Sequence, residues 1–365
     1  MAVSTIDPNG LNIGQIGGTR NKVINGAMTI DQRNAGASVT PTADVTYTLD
    51  RWNIRNFGNS GRFSVQRTTA SVPLGFSHSA VLTVTTADAT NNGAYSFCQR
   101  IEGFNSSDLG LGSTTAKSIT ISFWVRSSVT GTYCVSLRNK TATESYVAEY
   151  SISVADTWEY KTVSLPTVAS GTWEVTNDQG ILLDFVLGSN TGRETTAGAW
   201  QSGNFISTAN QTEWIATSGA TFYITGVQLE AGDTATPFEH RSYGQELALC
   251  QRYFHRIERG GTWTIAAEGT WATSGGFQSA IFFPVQMRVP PTFSYSGTGT
   301  WDAVYNASAT ASITGTISLI DNADGRAALL SGTANSGTTP GIGAGGGTRI
   351  QTNTAGEYMQ FDAEL

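Results

Sequence analysis

The sequence predicts an all-β chain: a jelly-roll β-sandwich, one connecting α-helix and a smaller C-terminal β domain. Three observations predict it. Charged residues make up only 13% of the 365 residues, against about 25% in ordinary globular chains. In their place stand 41 glycines and many Thr, Ser, Asn and aromatic residues, and β-branched and aromatic side chains fit the pleat of a strand while Gly and Asn fit tight turns. Short runs of alternating apolar and polar residues recur from residue 22 to 240, as antiparallel strands with one buried face require. With 39% hydrophobic residues the chain can build a core and is not a disordered polyelectrolyte.

Taken in order, residues 1–20 hold the turn Asp7-Pro8-Asn9-Gly10 and scattered Ile6, Leu11, Ile13 and Ile16 without lasting alternation. They read as an arm, either a frayed terminus or a segment that folds on a neighbouring subunit. Residues 21–240 carry the strand-like runs Arg62–Gln66, Ala80–Val84, Ile119–Val125, Tyr133–Leu137, Trp158–Val163, Gly180–Leu187 and Phe222–Leu229. The run Gly180–Leu187 is almost continuously apolar, which places it in the middle of a sheet, covered on both faces. About 220 residues suit a jelly roll with generous loops.

Residues 241–260 form the connecting segment. Ser242-Tyr243-Gly244-Gln245 has the form of a capping box, and Leu247, Cys250, Phe254 and Ile257 follow at helical spacing until Gly260-Gly261, which predicts a helix over 243–257. It is either a connector over a sheet edge or the seam of a homotrimer; in the second case Leu247, Cys250, Phe254 and Ile257 carry assembly, flanked by Arg252 and Tyr253. Residues 261–365 form the second β unit, with strands near 262–267, 277–288, 312–320, 326–331 and 357–364 and a glycine-rich loop from Gly337 to Gly347.

The net charge of -7 is spread along the chain without blocks, so no long-range field draws in nucleic acid or an anionic membrane. No apolar run reaches the roughly 18 to 20 residues that span a bilayer, and membrane insertion is not expected. The start MAVSTIDPNG lacks a basic stretch followed by an apolar one, and three cysteines (Cys98, Cys134, Cys250) are too few for a disulfide-stapled scaffold. Synthesis in a reducing cytoplasm follows.

Catalytic chemistry finds little to work with. His78, His240 and His255 share no metal-ligand spacing, and neither a nucleophile elbow nor a phosphate loop occurs. Glycoside hydrolysis needs two carboxylates about 5 to 10 Å apart, and no spacing pairs Asp184, Glu194, Glu213, Glu230 or Asp233; Asp184, inside an apolar strand, reads as a structural group. No catalytic residue, metal ligand or cofactor is therefore assigned. Sugar binding fits better, because the flat C–H faces of sugars stack on exposed rings. Trp52, Trp124 and Trp158 occupy strand positions and read as core, Trp173, Trp200 and Trp214 lie in loop-like stretches and are the candidate ligand-binding residues, and Trp263, Trp271 and Trp301 lie near turns of the C-terminal unit.

Asn21-Lys22-Val23-Ile24-Asn25-Gly26-Ala27-Met28 followed by Asp50-Arg51-Trp52, the strand Ile119–Arg126 and the stretch Asp156–Val163 resemble the opening and two later strands of jelly-roll carbohydrate-binding modules. Gly226–Gly232 through Thr236-Pro237-Phe238-Glu239, and Leu247–Phe254, are similar to a block in tailed-bacteriophage tail-fibre and virion structural proteins, as are Phe283–Arg288 with Pro290-Pro291-Thr292 and the terminal Phe361–Leu365. The resemblance implies a virion surface protein, made in the host bacterial cytoplasm: a trimeric tail fibre or receptor-binding protein that meets host surface polysaccharide. Residues 1–20 would then dock to other tail or capsid proteins. The alternatives are a head decoration or tail knob with a purely structural role, and a depolymerase. The modules often hold a structural calcium with an acidic residue in the last strand; this chain has Ile224-Thr225-Gly226-Val227 there, which disfavours the metal.

Overall fold

In the computed structural model the described residues are 20–58, 61–90, 92–258, 265–273, 276–297, 301–306, 309–313, 316–321, 325–333, 346–352 and 356–365. The expected arm 1–20, save Arg20, Trp263 and almost all of the glycine-rich loop 337–347 lie outside them. Two compact units divide the chain, residues 1–246 with Leu365 and residues 247–364.

The first unit is a jelly-roll β-sandwich. Its strands are β1 (Val45–Leu49), β2 (Trp52–Phe57), β3 (Arg62–Thr68), β4 (Ser79–Thr86), β5 (Ala94–Glu102), β6 (Ile119–Ser127), β7 (Gly131–Asn139), β8 (Glu144–Ile152), β9 (Glu159–Leu165), β10 (Gln179–Ser189), β11 (Trp200–Ser202) and β12 (Thr221–Ala231), with one helical turn α1 (Gly103–Ser106) after β5. They form a seven-stranded sheet in the order β1-β2-β5-β10-β7-β8-β11 and a five-stranded sheet in the order β3-β4-β12-β6-β9, and every pairing in them is antiparallel. Strand β10 is buried along its whole length in the middle of its sheet, as its unbroken apolar run predicts. The sheets close on one core that includes Trp52, Phe63, Phe97, Phe123, Tyr133, Phe185, Trp214 and Phe222, with Trp52 stacked on Phe97 at 4.8 Å.

The Asn21–Gly26 segment has a definite task. Beyond Ile224, β12 no longer pairs with β4, and this segment takes the vacated side: Lys22 N donates to Leu229 O and Val227 N donates to Gly26 O, while the Asn21 side chain donates to Val227 O and accepts from Leu229 N. A Cβ on Gly26 would stand 2.2 Å from Val227 O, which is why glycine sits there. Asn25, in the left-handed region at φ 58°, holds Ile30 and Asp50 through its side chain and receives the Trp52 indole N–H on its carbonyl. The Asn…Asn-Gly…Trp spacing thus encodes a closure of the sandwich.

The capping box predicted at Ser242 forms: Ser242 N donates to Gln245 Oε1 and Gln245 N donates to Ser242 Oγ. The helix α2 spans Tyr243–Gln251 and stops short of the expected 257. Residues Phe254–Glu258 are instead strand β13, paired with Tyr358–Asp362. Phe254 and Ile257 fit helical spacing only because so short a run satisfies either period; pairing with the last strand decides. Cys250, Tyr253 and Phe254, expected at a seam between copies, are buried within the single chain, and Ile257 packs on the C-terminal core; Leu247 and Arg252 are half-buried.

The second unit continues with β14 (Ile265–Thr273), β15 (Gly276–Phe282), β16 (Thr292–Tyr295), β17 (Trp301–Asn306), β18 (Ala309–Ser312), β19 (Ser318–Asp321), β20 (Ala327–Thr333), β21 (Gly347–Thr352) and β22 (Tyr358–Asp362). A three-stranded sheet, β13-β22-β16, and a seven-stranded one, β18-β17-β21-β14-β15-β20-β19, enclose Trp271, Phe277, Trp301, Leu330, Ile350, Met359 and Phe361. The single strand expected over 277–288 ends at Phe282, since Pro284 has no N–H to give a ladder. The one expected over 312–320 is divided between β18 and β19.

Candidate functional site

Alternation along β6 sends Ile119, Ile121, Phe123 and Val125 into the core and leaves Ser122, Trp124 and Arg126 on the outer face. The neighbours follow the same register: Trp124 lies beside Tyr160 of β9 and Thr225 of β12, and Arg126 lies beside Tyr223. Trp124 and Trp158, read from sequence as core, are therefore outward-facing and half-buried. The signal that could have found them is the period of two itself, which groups Trp124 with Ser122 and Arg126.

Trp124 and Tyr160 lean together at 5.3 Å and floor a groove of about 650 Å³. One wall is the β3–β4 loop with Leu74, Gly75 and Phe76; the other is the segment after β12, Thr234–Phe238 and His240. Leu74 is fully exposed and Tyr160 is 45% exposed. Phe76, Phe238 and His240 form a ring cluster with centroids 4.9 to 5.4 Å apart. A bulge in β12 between Thr225 and Gln228 makes room for them: Gly226 has φ +63°, and a Cβ there would stand 2.6 Å from Phe76 Cζ and 3.2 Å from Trp124 Cδ1. The bulged strand is pinned behind the groove, where buried Glu230 accepts from Gln228 Nε2 and from both the backbone N–H and the hydroxyl of Thr236. The Thr162 hydroxyl and the His240 ring nitrogens line the groove without a hydrogen-bond partner among the described residues.

The aromatic row continues two residues further along the strands. Trp158 and Tyr223 meet edge to face at 6.1 Å, and the Arg126 guanidinium lies 4.9 Å above the Tyr223 ring. Ser71 Oγ accepts from both Arg126 Nη1 and Trp158 Nε1, while Asp156 Oδ1 takes Arg126 Nη2 at 3.2 Å. The outer face of the five-stranded sheet thus carries an open aromatic surface with few charges. Such a surface can stack flat apolar faces and offers a few hydrogen bonds at its rim.

The three candidate tryptophans are elsewhere. Trp214 is fully buried against Phe63 and Phe222. Trp173 is buried and meets the half-buried Trp200 edge to face at 5.6 Å; their indole N–H groups donate to Ser170 O and Pro166 O. Trp271 and Trp301 lie in the core of the C-terminal unit. Among the described residues no three His, Cys, Asp or Glu side chains come together as metal ligands, and Thr225 spends its hydroxyl on His78 O. No described helix is long and apolar enough to cross a membrane.

No protein-family model and no curated protein matches the chain. Among solved structures it is similar to a CBM4 module, with 15% identity over 57% of this chain and 98% of that one at a TM-score of 0.30. It is similar to CBM61 solved with β-1,4-galactotriose, with 11% identity over 59% of this chain and all of the other at 0.31. A family 11 carbohydrate-binding module from Clostridium thermocellum, in complex with a β-1,3-1,4-mixed-linked tetrasaccharide, is similar at 15% identity over 57% of this chain and all of its own, with a TM-score of 0.27.

Proposed function

We propose that this protein is a non-enzymatic glycan-binding protein that holds a sugar chain along the groove floored by Trp124 and Tyr160. The observation that supports this is a pre-formed, open groove with rings on floor and walls, built by a bulge whose glycine leaves space for them. Stacking supplies the affinity, and Thr162 and His240 supply hydrogen bonds. Asp184 and Glu230 are buried and held by hydrogen bonds, which supports a structural role for these two carboxylates.

The proposed setting is the virion surface of a tailed bacteriophage, as a trimeric tail fibre or receptor-binding protein, supported by the similarity of residues 226–239 and 247–254 to phage tail proteins. Its partner would be host surface polysaccharide, with residues 1–20 docking to other virion proteins. Because Cys250, Tyr253 and Phe254 are occupied inside the chain, a trimer would use another surface. Retention of the purified protein by host polysaccharide, and its loss in Trp124→Ala with an unchanged circular dichroism spectrum, tests the reading; release of reducing ends would instead mark a depolymerase.

A further inference from the structure

The opposite sheet of the sandwich holds an unbalanced cluster of charge. Asp184, fully buried on β10, takes Arg138 Nη2 at 2.7 Å, the Ser96 hydroxyl at 2.9 Å and Arg55 Nη1 at 3.6 Å. A third guanidinium, Arg193, comes from the loop that follows β10, and its side chain makes no hydrogen bond or ion pair among the described residues. The loop that carries it is tied to the cluster, since Asn204 Oδ1 accepts from Arg138 Nη1 and both Ile206 N and Ser207 N donate to Arg193 O; burial, with Arg138 and Arg55 adding to it, lowers the Arg193 pKa. Two guanidiniums thus meet one carboxylate, with a third on the adjoining loop.

The sheet register shows what else faces them. Asn53 pairs with Cys98, Cys98 with Asp184, and Asp184 with Ser136, so these four form one row across β2, β5, β10 and β7 on the same face. In that row the Asn53 amide nitrogen and the Ser136 hydroxyl are buried without a partner among the described residues, as are the nearby Nε atoms of Arg55 and Arg138. Ser207 of the same loop, whose N–H donates to Arg193 O, also has a buried hydroxyl without a partner among the described residues. Each of these groups can donate a hydrogen bond, and leaving buried donors unmade is costly. A net positive site with several orphaned donors has the chemistry of an anion site.

We propose that this face, between Arg55, Arg138, Arg193, Asn53 and Ser136, binds a small oxyanion: the carboxylate of an acidic sugar or a free inorganic phosphate. The site is separate from the aromatic groove and goes beyond the glycan reading. Arg55 and Arg193 are partly exposed and give the anion its way in.

The test is isothermal titration of the full chain at constant ionic strength with sodium glucuronate, glucose and inorganic phosphate. The proposal expects saturable binding of glucuronate or phosphate, none of glucose at this site, at least a tenfold loss in Arg193→Gln, partial recovery in Arg193→Lys, and wild-type anion binding in Trp124→Ala. Binding of phosphate alone would identify the ligand as the free ion, and binding of glucuronate would identify it as an acidic sugar. No saturable binding of either anion, or equal binding by wild type and Arg193→Gln, overturns the proposal. Loss of anion binding in Trp124→Ala would overturn the separation of the two sites.

Discussion

Single residues in the sandwich show how surroundings decide a side chain's task. Burial pushes the Asp184 carboxyl up, but Arg138 and Arg55 and the hydrogen bonds from Arg138 and Ser96 outweigh it and hold the group below the usual Asp range. Removing a buried partner strands the other charge, so Asp184→Ala should destabilise the protein by about 3 to 5 kcal/mol, read from urea unfolding; a loss below about 1 kcal/mol would contradict a tightly paired group. Glu213 goes the other way. Burial raises its pKa to about 7, with the Ser189 N–H opposing and Glu194 and Asp88 adding to the rise. Its folded pKa exceeds the unfolded value of about 4.3, so the folded state holds an extra proton between the two. The contribution of Glu213 to stability is complete below about pH 4.3 and is lost as pH rises through 7. The stability difference between wild type and Glu213→Gln should therefore shift against wild type from pH 5 to pH 8; a pH-independent difference would contradict the assignment.

Elements position the groove, and the bulge in β12 does most to shape it. Gly226→Ala adds a Cβ 2.6 Å from Phe76 Cζ at a backbone φ of +63°. The expected result is a stability loss of about 1 to 3 kcal/mol with weakened sugar binding, because Phe76 must move; unchanged affinity would show that Phe76 is not part of the wall. Gly26→Ala, with its Cβ 2.2 Å from Val227 O, should cost a similar amount without touching the rings. Much of this was legible in the sequence: the alternating runs marked seven sandwich strands, the apolar run found central β10, and the capping box found the start of α2. The groove was not legible, because its rings come from β6, β9, the β3–β4 loop and the segment after β12, and nothing local shows that they converge. The choice of Trp173, Trp200 and Trp214 followed their loop-like setting, yet a loop tryptophan can fold back into the core as Trp214 does. Strand β13 escaped because its partner, β22, lies about a hundred residues later.

For the whole molecule, low charge acquires a structural meaning. Several of the described ion pairs are buried, those of Asp184, of Glu230 and of Arg241 with Glu239 and Glu246, and the outer face of the five-stranded sheet carries rings and threonines with the Arg126–Asp156 pair at its rim. Each of the two units has a hydrophobic core of its own. The proposed trimer expects a sedimenting mass about three times the 38.6 kDa chain; a monomer at micromolar concentration would contradict it without touching the groove. The claim that a sugar chain lies on Trp124 and Tyr160 is tested most directly by affinity electrophoresis of wild type and Trp124→Ala through gels containing host surface polysaccharide. The account predicts that wild type is retarded and that Trp124→Ala, equally folded, binds at least tenfold more weakly. Equal retardation of the two, or migration of wild type unaffected by any host polysaccharide, would contradict it.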